Sequence, residues 1–321
     1  MAHNHHHNDD HTHSHDHHDH GHDHGHHHPT PQNFTFAFAL AIALNLAFTL
    51  IQASYAFYAH SMSLLADAGH NLGDVLGLSI SAIAMWLLAR KATDKYSYGF
   101  KRTTILAALI NALILLSAIA IILTESIHKL FDPQVVNEKV VIIVALVGIV
   151  VNGGTALLFM RGHDDLNVRA AFLHLLSDAL VSFGVVVTGA LLLWTHWWWL
   201  DPVVGILIAI TIFLGTWRLL RQSMDMILDA VPHNIDRPSI ERYLLSEPNI
   251  IAIHDLHIWG LSTKETALTA HLLVAEQPVF TDAQLHKMHH ELEHHFKIKH
   301  STLQIEHQGQ TDSCQRTEKC H

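Results

Sequence analysis

Two apolar stretches of this chain each carry a histidine and an aspartate four residues apart: His70 with Asp74, and His174 with Asp178. In a helix, residues i and i+4 lie on one face, one above the other. Each stretch therefore presents an imidazole nitrogen and a carboxylate oxygen in one direction. If the two faces meet, they supply two nitrogens and two oxygens, a tetrahedral set that zinc accepts. Two aspartates offset a dication while the histidines stay neutral, so a filled set suits a low-dielectric setting. An emptied set keeps two carboxylates and should take up protons. One such pair reads equally well as an interhelical hydrogen bond; the same spacing in two stretches argues for metal. Asp67, one turn before His70, is a candidate relay residue, because ionisable groups among apolar ones are expensive to keep. Asn45, Gln52 and Asn111 read as glue between helices.

The elements that position these pairs follow from hydropathy. Six apolar runs, at 34–57, 63–89, 103–123, 140–159, 170–193 and 203–220, are each close to the ~20 residues that cross a bilayer as a helix. Only 15% of the chain is charged, against about 25% in soluble domains. An integral, multi-pass membrane protein is expected, with a six-helix domain at 32–222. Nine Lys and Arg residues lie on one side: Arg90, Lys91, Lys95, Lys101, Arg102, Arg161, Arg169, Arg218 and Arg221. Lys129 and Lys139 lie on the other. The positive-inside rule then puts both termini in the cytoplasm, and Trp194, Trp197, Trp198 and Trp199 on the outer interface. Compact loops suggest a bacterial inner membrane.

Outside the spans, residues 1–31 form a His/Asp-rich tail. Fifteen histidines and five aspartates fall within the first 28 residues, a composition that binds metal and buries nothing. No basic n-region precedes the first run, so no signal peptide is expected. Nucleic-acid binding is disfavoured, because no Lys/Arg cluster accompanies the net charge of −10. Residues 223–310 read as a small soluble α+β domain with the order α-β-β-α-β, and Thr281 as an N-cap. The polar tail 311–321 holds Cys314 and Cys320, whose spacing makes neither a zinc knuckle nor a disulfide framework.

Several strings resemble the cation diffusion facilitator family in its zinc-transporting branch, the type of the bacterial zinc efflux proteins. They are SLLADAGHNLGD, YGFKRTTILAALINALILL, RAAFLHLLSDALVS, WLDPVVGILIA, HDLHIWGLS and STLQIEH, in order between residues 34 and 308. The resemblance implies six transmembrane helices followed by a metallochaperone-like cytoplasmic domain. It implies a homodimer that exports zinc, with cadmium a further candidate, in exchange for protons. It carries the transport ligands onto His70, Asp74, His174 and Asp178, and cytoplasmic zinc ligands onto His254, His271, His286 and His307. Some relatives place a carboxylate two residues after the last of these. Gly309 stands there, so Glu306 or a water completes the shell. His first in the second-span motif favours zinc over harder cations, as imidazole is the softer donor. A further loop site of some relatives is not expected, since Tyr96 and Phe100 accompany Asp94 where histidines would be.

By strand alternation His257 faces away from His254, while His286, His290 and His294 share one helix face, read for the last two as solvated. A zinc buffer would explain the tail but not ligands deep in two spans. A metalloenzyme would want an added base or an H-E-x-x-H string, and no such string is expected in this chain. No G-x-x-x-x-G-K-[ST] loop occurs, so nucleotide-driven transport is not expected.

Overall fold

A computed structural model describes residues 36–159, 166–276 and 280–307, with 36–42, 155–159 and 166–172 described for their backbone alone. The N-terminal His/Asp tail, Arg161, Gly309 and both cysteines lie outside the described residues. Six long helices come first: α1 (Phe36–Tyr58), α2 (Met62–Leu88), α3 (Thr103–Phe131), α4 (Glu138–Phe159), α5 (Leu166–Thr195) and α6 (Leu200–Ile227). Four stretches meet the length and apolarity of a membrane span over described residues: Met62–Leu88, Thr103–Phe131, Leu173–Thr195 and Leu200–Ile227. Of the other two helices, α1 holds no charged residue, and α4 holds charges only in its first turn, at Glu138 and Lys139. The outward faces are apolar: Ile121, Val150, Leu180 and Leu214 are each more than 60% exposed. A water-soluble bundle would not leave that surface bare.

α2 sits at the centre, touching α1, α3, α5 and α6. Its start is tied to α6 by Asp201, which is fully buried. The Asp201 carboxylate accepts from the Ser61 and Ser63 hydroxyls at 2.6 Å each, and from the Met62 N–H. A carboxylate at a helix N-terminus meets unpaired N–H groups and the positive end of the dipole. Gly205 lets α6 come close at this point, because a Cβ there would lie 2.9 Å from the Met62 backbone. The string WLDPVVG is thus an anchor for the helix that carries His70 and Asp74.

The C-terminal domain is α7 (Arg237–Ser246), β1 (Ile250–Gly260), β2 (Thr266–Val274), α8 (Asp282–His294) and β3 (Ile298–His307). The sheet order is β1-β2-β3, with β1 antiparallel and β3 parallel to β2. β3 begins well before the apolar pattern suggests, as the polar run after Ile298 pairs with β2 from Thr266 onward. One face of the sheet packs on α7 and α8 through Leu256, Ile258, Leu268, Leu272, Met288 and Leu292. Thr281 caps α8 in a reciprocal box with Gln284.

Candidate metal centre

The packing of α2 against α5 brings both His/Asp pairs together. His70 Nε2 lies 3.0 Å from Asp178 Oδ1 and 3.8 Å from Asp74 Oδ2. His174 Nε2 lies 3.2 Å from Asp74 Oδ2 and 3.7 Å from Asp178 Oδ2. Each imidazole thus reaches the carboxylate of its own helix and that of the other. The rings are 6.2 Å apart, nearly perpendicular at 76°. Zinc bonds of about 2.0–2.1 Å put the donors of a tetrahedral shell about 3.3 Å apart, close to these separations. Donor atoms of His70, Asp74 and Asp178 all lie within 4.8 Å of one another, and His174 joins through its two carboxylate contacts. The Asp178 side chain is 4% exposed and that of His174 26%, so the cluster is walled on one side and open on another.

Asp67 lies one turn away, fully buried. Its Oδ2 accepts from Gln52 Nε2 of α1 at 2.7 Å and from Ser182 Oγ of α5 at 2.9 Å. Asn71 donates to Gln52 Oε1 at 3.1 Å. These polar contacts join α1, α2 and α5 beside the cluster, so Gln52 does bind helices together.

A second cluster lies on the sheet face turned away from α7 and α8. His254 Nε2 is 3.0 Å from Glu306 Oε2, and His271 Nδ1 is 2.7 Å from Glu306 Oε1. The two rings are 5.0 Å apart. Register explains the meeting: His254 pairs with His271 across β1 and β2, and β3 brings Glu306 alongside Leu273. The hydrogen bond from His271, joined by that from His254, holds the Glu306 carboxyl below the usual carboxylate range against partial burial.

Two residues expected in this set are elsewhere. His286 is on α8, in the layer across the sheet, and exposed. His307 alternates with Glu306 and so falls on the side of Leu303 and Ile305, which pack toward the core. His257, expected to face away from His254, instead shares its face. Asp255 and Leu256 together oppose one residue of β2, a bulge between His254↔His271 and His257↔Thr269. Asp255 adopts φ +50° there. An extra residue in one strand inverts the alternation beyond it. Even so, His257 does not join the His254–His271–Glu306 group.

Residues 38–228 match the family described as the cation efflux transmembrane domain, and 232–308 that described as the cation efflux protein cytoplasmic domain. The chain belongs to the cation efflux family. It is 35% identical over 264 residues to the cadmium, cobalt and zinc/H(+)-K(+) antiporter of Bacillus subtilis (strain 168), covering 81% of this chain and 85% of that one. It is 33% identical to the zinc transporter ZitB of Escherichia coli (strain K12), covering 81% and 84%. It is also 33% identical to the metal cation efflux system protein CzcD of Cupriavidus metallidurans, covering 77% and 78%. These relatives are transporters of metal cations, and this cation efflux protein is a membrane transporter rather than an enzyme.

Two features of the cation efflux protein lie outside the expectations drawn from its sequence. The first is a clasp between the two domains. Arg102 pairs with Asp229 at 2.6 Å, and Lys101 with Glu265 Oε2 and His300 Nε2 at 2.7 Å each. The Thr263 N–H donates to Thr104 Oγ1 at 3.2 Å. The signal was there as a pair of cations before α3, counted only toward orientation. The second is His290-Glu291-Leu292-Glu293-His294 on α8, an H-E-x-x-H string that stands openly in the sequence and overturns the expectation that none occurs. The case against an enzyme therefore rests on the relatives and not on the absence of that string.

Proposed function

We propose that this protein exports zinc from the cytosol in exchange for protons, through the His70, Asp74, His174 and Asp178 set between α2 and α5. The observation that carries the reading is that each imidazole contacts both carboxylates, one from each helix. Two carboxylates balance zinc with neutral histidines, and they balance protons once zinc has left. The site thus avoids a bare charge in either state, which matters where an uncompensated ion costs several kcal/mol. The names of the relatives, a zinc transporter and a zinc/H(+) antiporter among them, point the same way. Cadmium is a second cargo consistent with imidazole donors.

In this reading both termini face the cytoplasm, as loop Lys and Arg indicate, and the protein acts as a homodimer in the inner membrane. His254, His271 and Glu306 hold a regulatory zinc in the cytoplasmic domain. Two imidazoles and a carboxylate are a zinc donor set, with water in the fourth position. The tail 1–31 collects metal near the cytoplasmic mouth. Asp67 keeps α2 and α5 in the spacing that the ligands need and stands beside them as a proton relay.

The test uses protein reconstituted in liposomes that contain a pH-sensitive dye. Zinc flux should be matched by proton counter-flow and driven by an imposed pH gradient. It should fail toward acid, where protonated histidine no longer coordinates. Zinc movement with no proton movement would remove the exchange while leaving the metal set in place.

A further inference from the structure

We propose that His290 and His294 form a metal site on the surface of α8 that takes a divalent transition ion such as zinc as a two-imidazole chelate. Both residues lie on a regular helix whose start is fixed by a capping box. They are one turn apart, on one face, with ring centroids 4.2 Å apart and planes 32° from parallel. Both rings are exposed, so an ion bound there keeps its outer hydration and incurs little desolvation cost. Their neighbours are engaged elsewhere: His289 Nδ1 bonds Ser301 Oγ at 2.6 Å, and His295 Nε2 pairs with Glu291 at 3.3 Å. Among the described residues neither His290 nor His294 has a hydrogen bond or ion pair, so an ion displaces no protein contact. His286 extends the stripe by one turn, yet makes no ring contact among the described residues, which singles out the 290/294 pair.

The same string serves zinc hydrolases, where the Glu acts as base beside a third protein ligand. Here Glu291 is turned to His295, and no third His, Cys, Asp or Glu of the described residues completes a group at the pair. Water fills the remaining positions, and the site binds without catalysing. Soft-leaning borderline ions hold to imidazole and magnesium does not. The inference stands apart from the transport reading, as neither residue belongs to that machinery.

The experiment is histidine acylation by diethyl pyrocarbonate on the full-length protein in detergent, with and without zinc, read peptide by peptide by mass spectrometry. This separates α8 from the histidine-rich tail. Zinc at ten times its dissociation constant should slow modification of His290 and His294 together by roughly tenfold, and magnesium should not. In His294→Ala, His290 should return to its metal-free rate while His254 and His271 respond to zinc as before. If zinc leaves both rings reacting like the exposed His233, or if His290 stays protected in His294→Ala, the chelate does not exist.

Discussion

The two histidine–carboxylate clusters are built by opposite routes. In the membrane, two helices each contribute a complete i, i+4 pair, so two local spacings generate four donors. In the cytoplasmic domain, three strands contribute one residue each: His254 from β1, His271 from β2 and Glu306 from β3. That meeting depends on pairing register, which no single stretch of sequence contains. The charges differ as well. Two carboxylates match two imidazoles in the bilayer, so a bound dication is neutralised. One carboxylate serves two imidazoles on the sheet, which leaves a filled site at net +1. Only a site open to water tolerates that excess, and His254, His271 and Glu306 are all partly exposed.

The comparison breaks most sharply at the membrane carboxylates. Asp74→Ala and Asp178→Ala should each abolish zinc uptake into everted vesicles while the protein still folds and reaches the membrane. Removing either leaves a dication short of its balancing charge at a cost of several kcal/mol. Transport near the wild-type rate in either variant would show that the cluster is not the permeation site. A smaller effect is expected from His70→Asp, which exchanges nitrogen for oxygen but keeps a donor. Selectivity should broaden toward manganese, which favours carboxylate. A competition assay with an unchanged zinc preference would count against His70 as the selectivity determinant.

The same contrast explains what could be read in advance. Six apolar runs and two H-x-x-x-D spacings are one-dimensional signals, and α2 and α5 carry them nearly where expected. The α-β-β-α-β order and the Thr281 cap were equally legible. The face of His257 was not, because a bulge at Asp255 and Leu256 reverses alternation without a glycine or proline to mark it. His286 and His307 share chemistry with His254 and His271 but lie off the sheet face that joins those two. Glu306, weighed only as a substitute for a missing carboxylate at Gly309, proves to be the residue that bridges the two rings. The clasp of Lys101 and Arg102 was hidden because its partners lie more than 120 residues away.

The cytoplasmic cluster sharpens the comparison at an intermediate scale. Glu306→Gln keeps the shape but removes the negative charge of a ligand, so zinc affinity of that site should fall by more than the roughly 10- to 100-fold that loss of an outer-shell partner costs. Transport at saturating zinc should persist, because the membrane donors are untouched. Zinc-dependent protection of His254 and His271 from acylation reports the site directly. Undiminished protection in Glu306→Gln would mean that another ligand completes the shell. Loss of turnover at saturating zinc would mean that the two clusters are not separable in the way their construction suggests.

The smallest effect concerns the contact through which one region would influence the other. Glu265 sits in the turn between β1 and β2 and receives Lys101 from the start of α3, with Lys299 and His300 each 3.7 Å away. The Lys101 hydrogen bond holds the Glu265 carboxyl below the usual carboxylate range, with the charges of Lys101 and Lys299 adding and partial burial opposing. A carboxylate depressed in the folded protein stabilises it above the ordinary carboxylate range, and that contribution is lost as pH falls through the depressed value. The side chains of Lys101 and Glu265 are each 23% exposed, so solvent screening keeps the pair near the upper end of surface values, about 1 kcal/mol. Glu265→Gln should therefore lower the melting temperature of the detergent-solubilised protein slightly at pH 7, and the gap from wild type should close below the carboxylate range. Lys101→Met should produce a similar loss at pH 7, and the double variant should lose less than the two single losses combined, since both remove one interaction. Additive losses would show that the two side chains stabilise the protein separately, so that the clasp would rest on Arg102 and Asp229 instead.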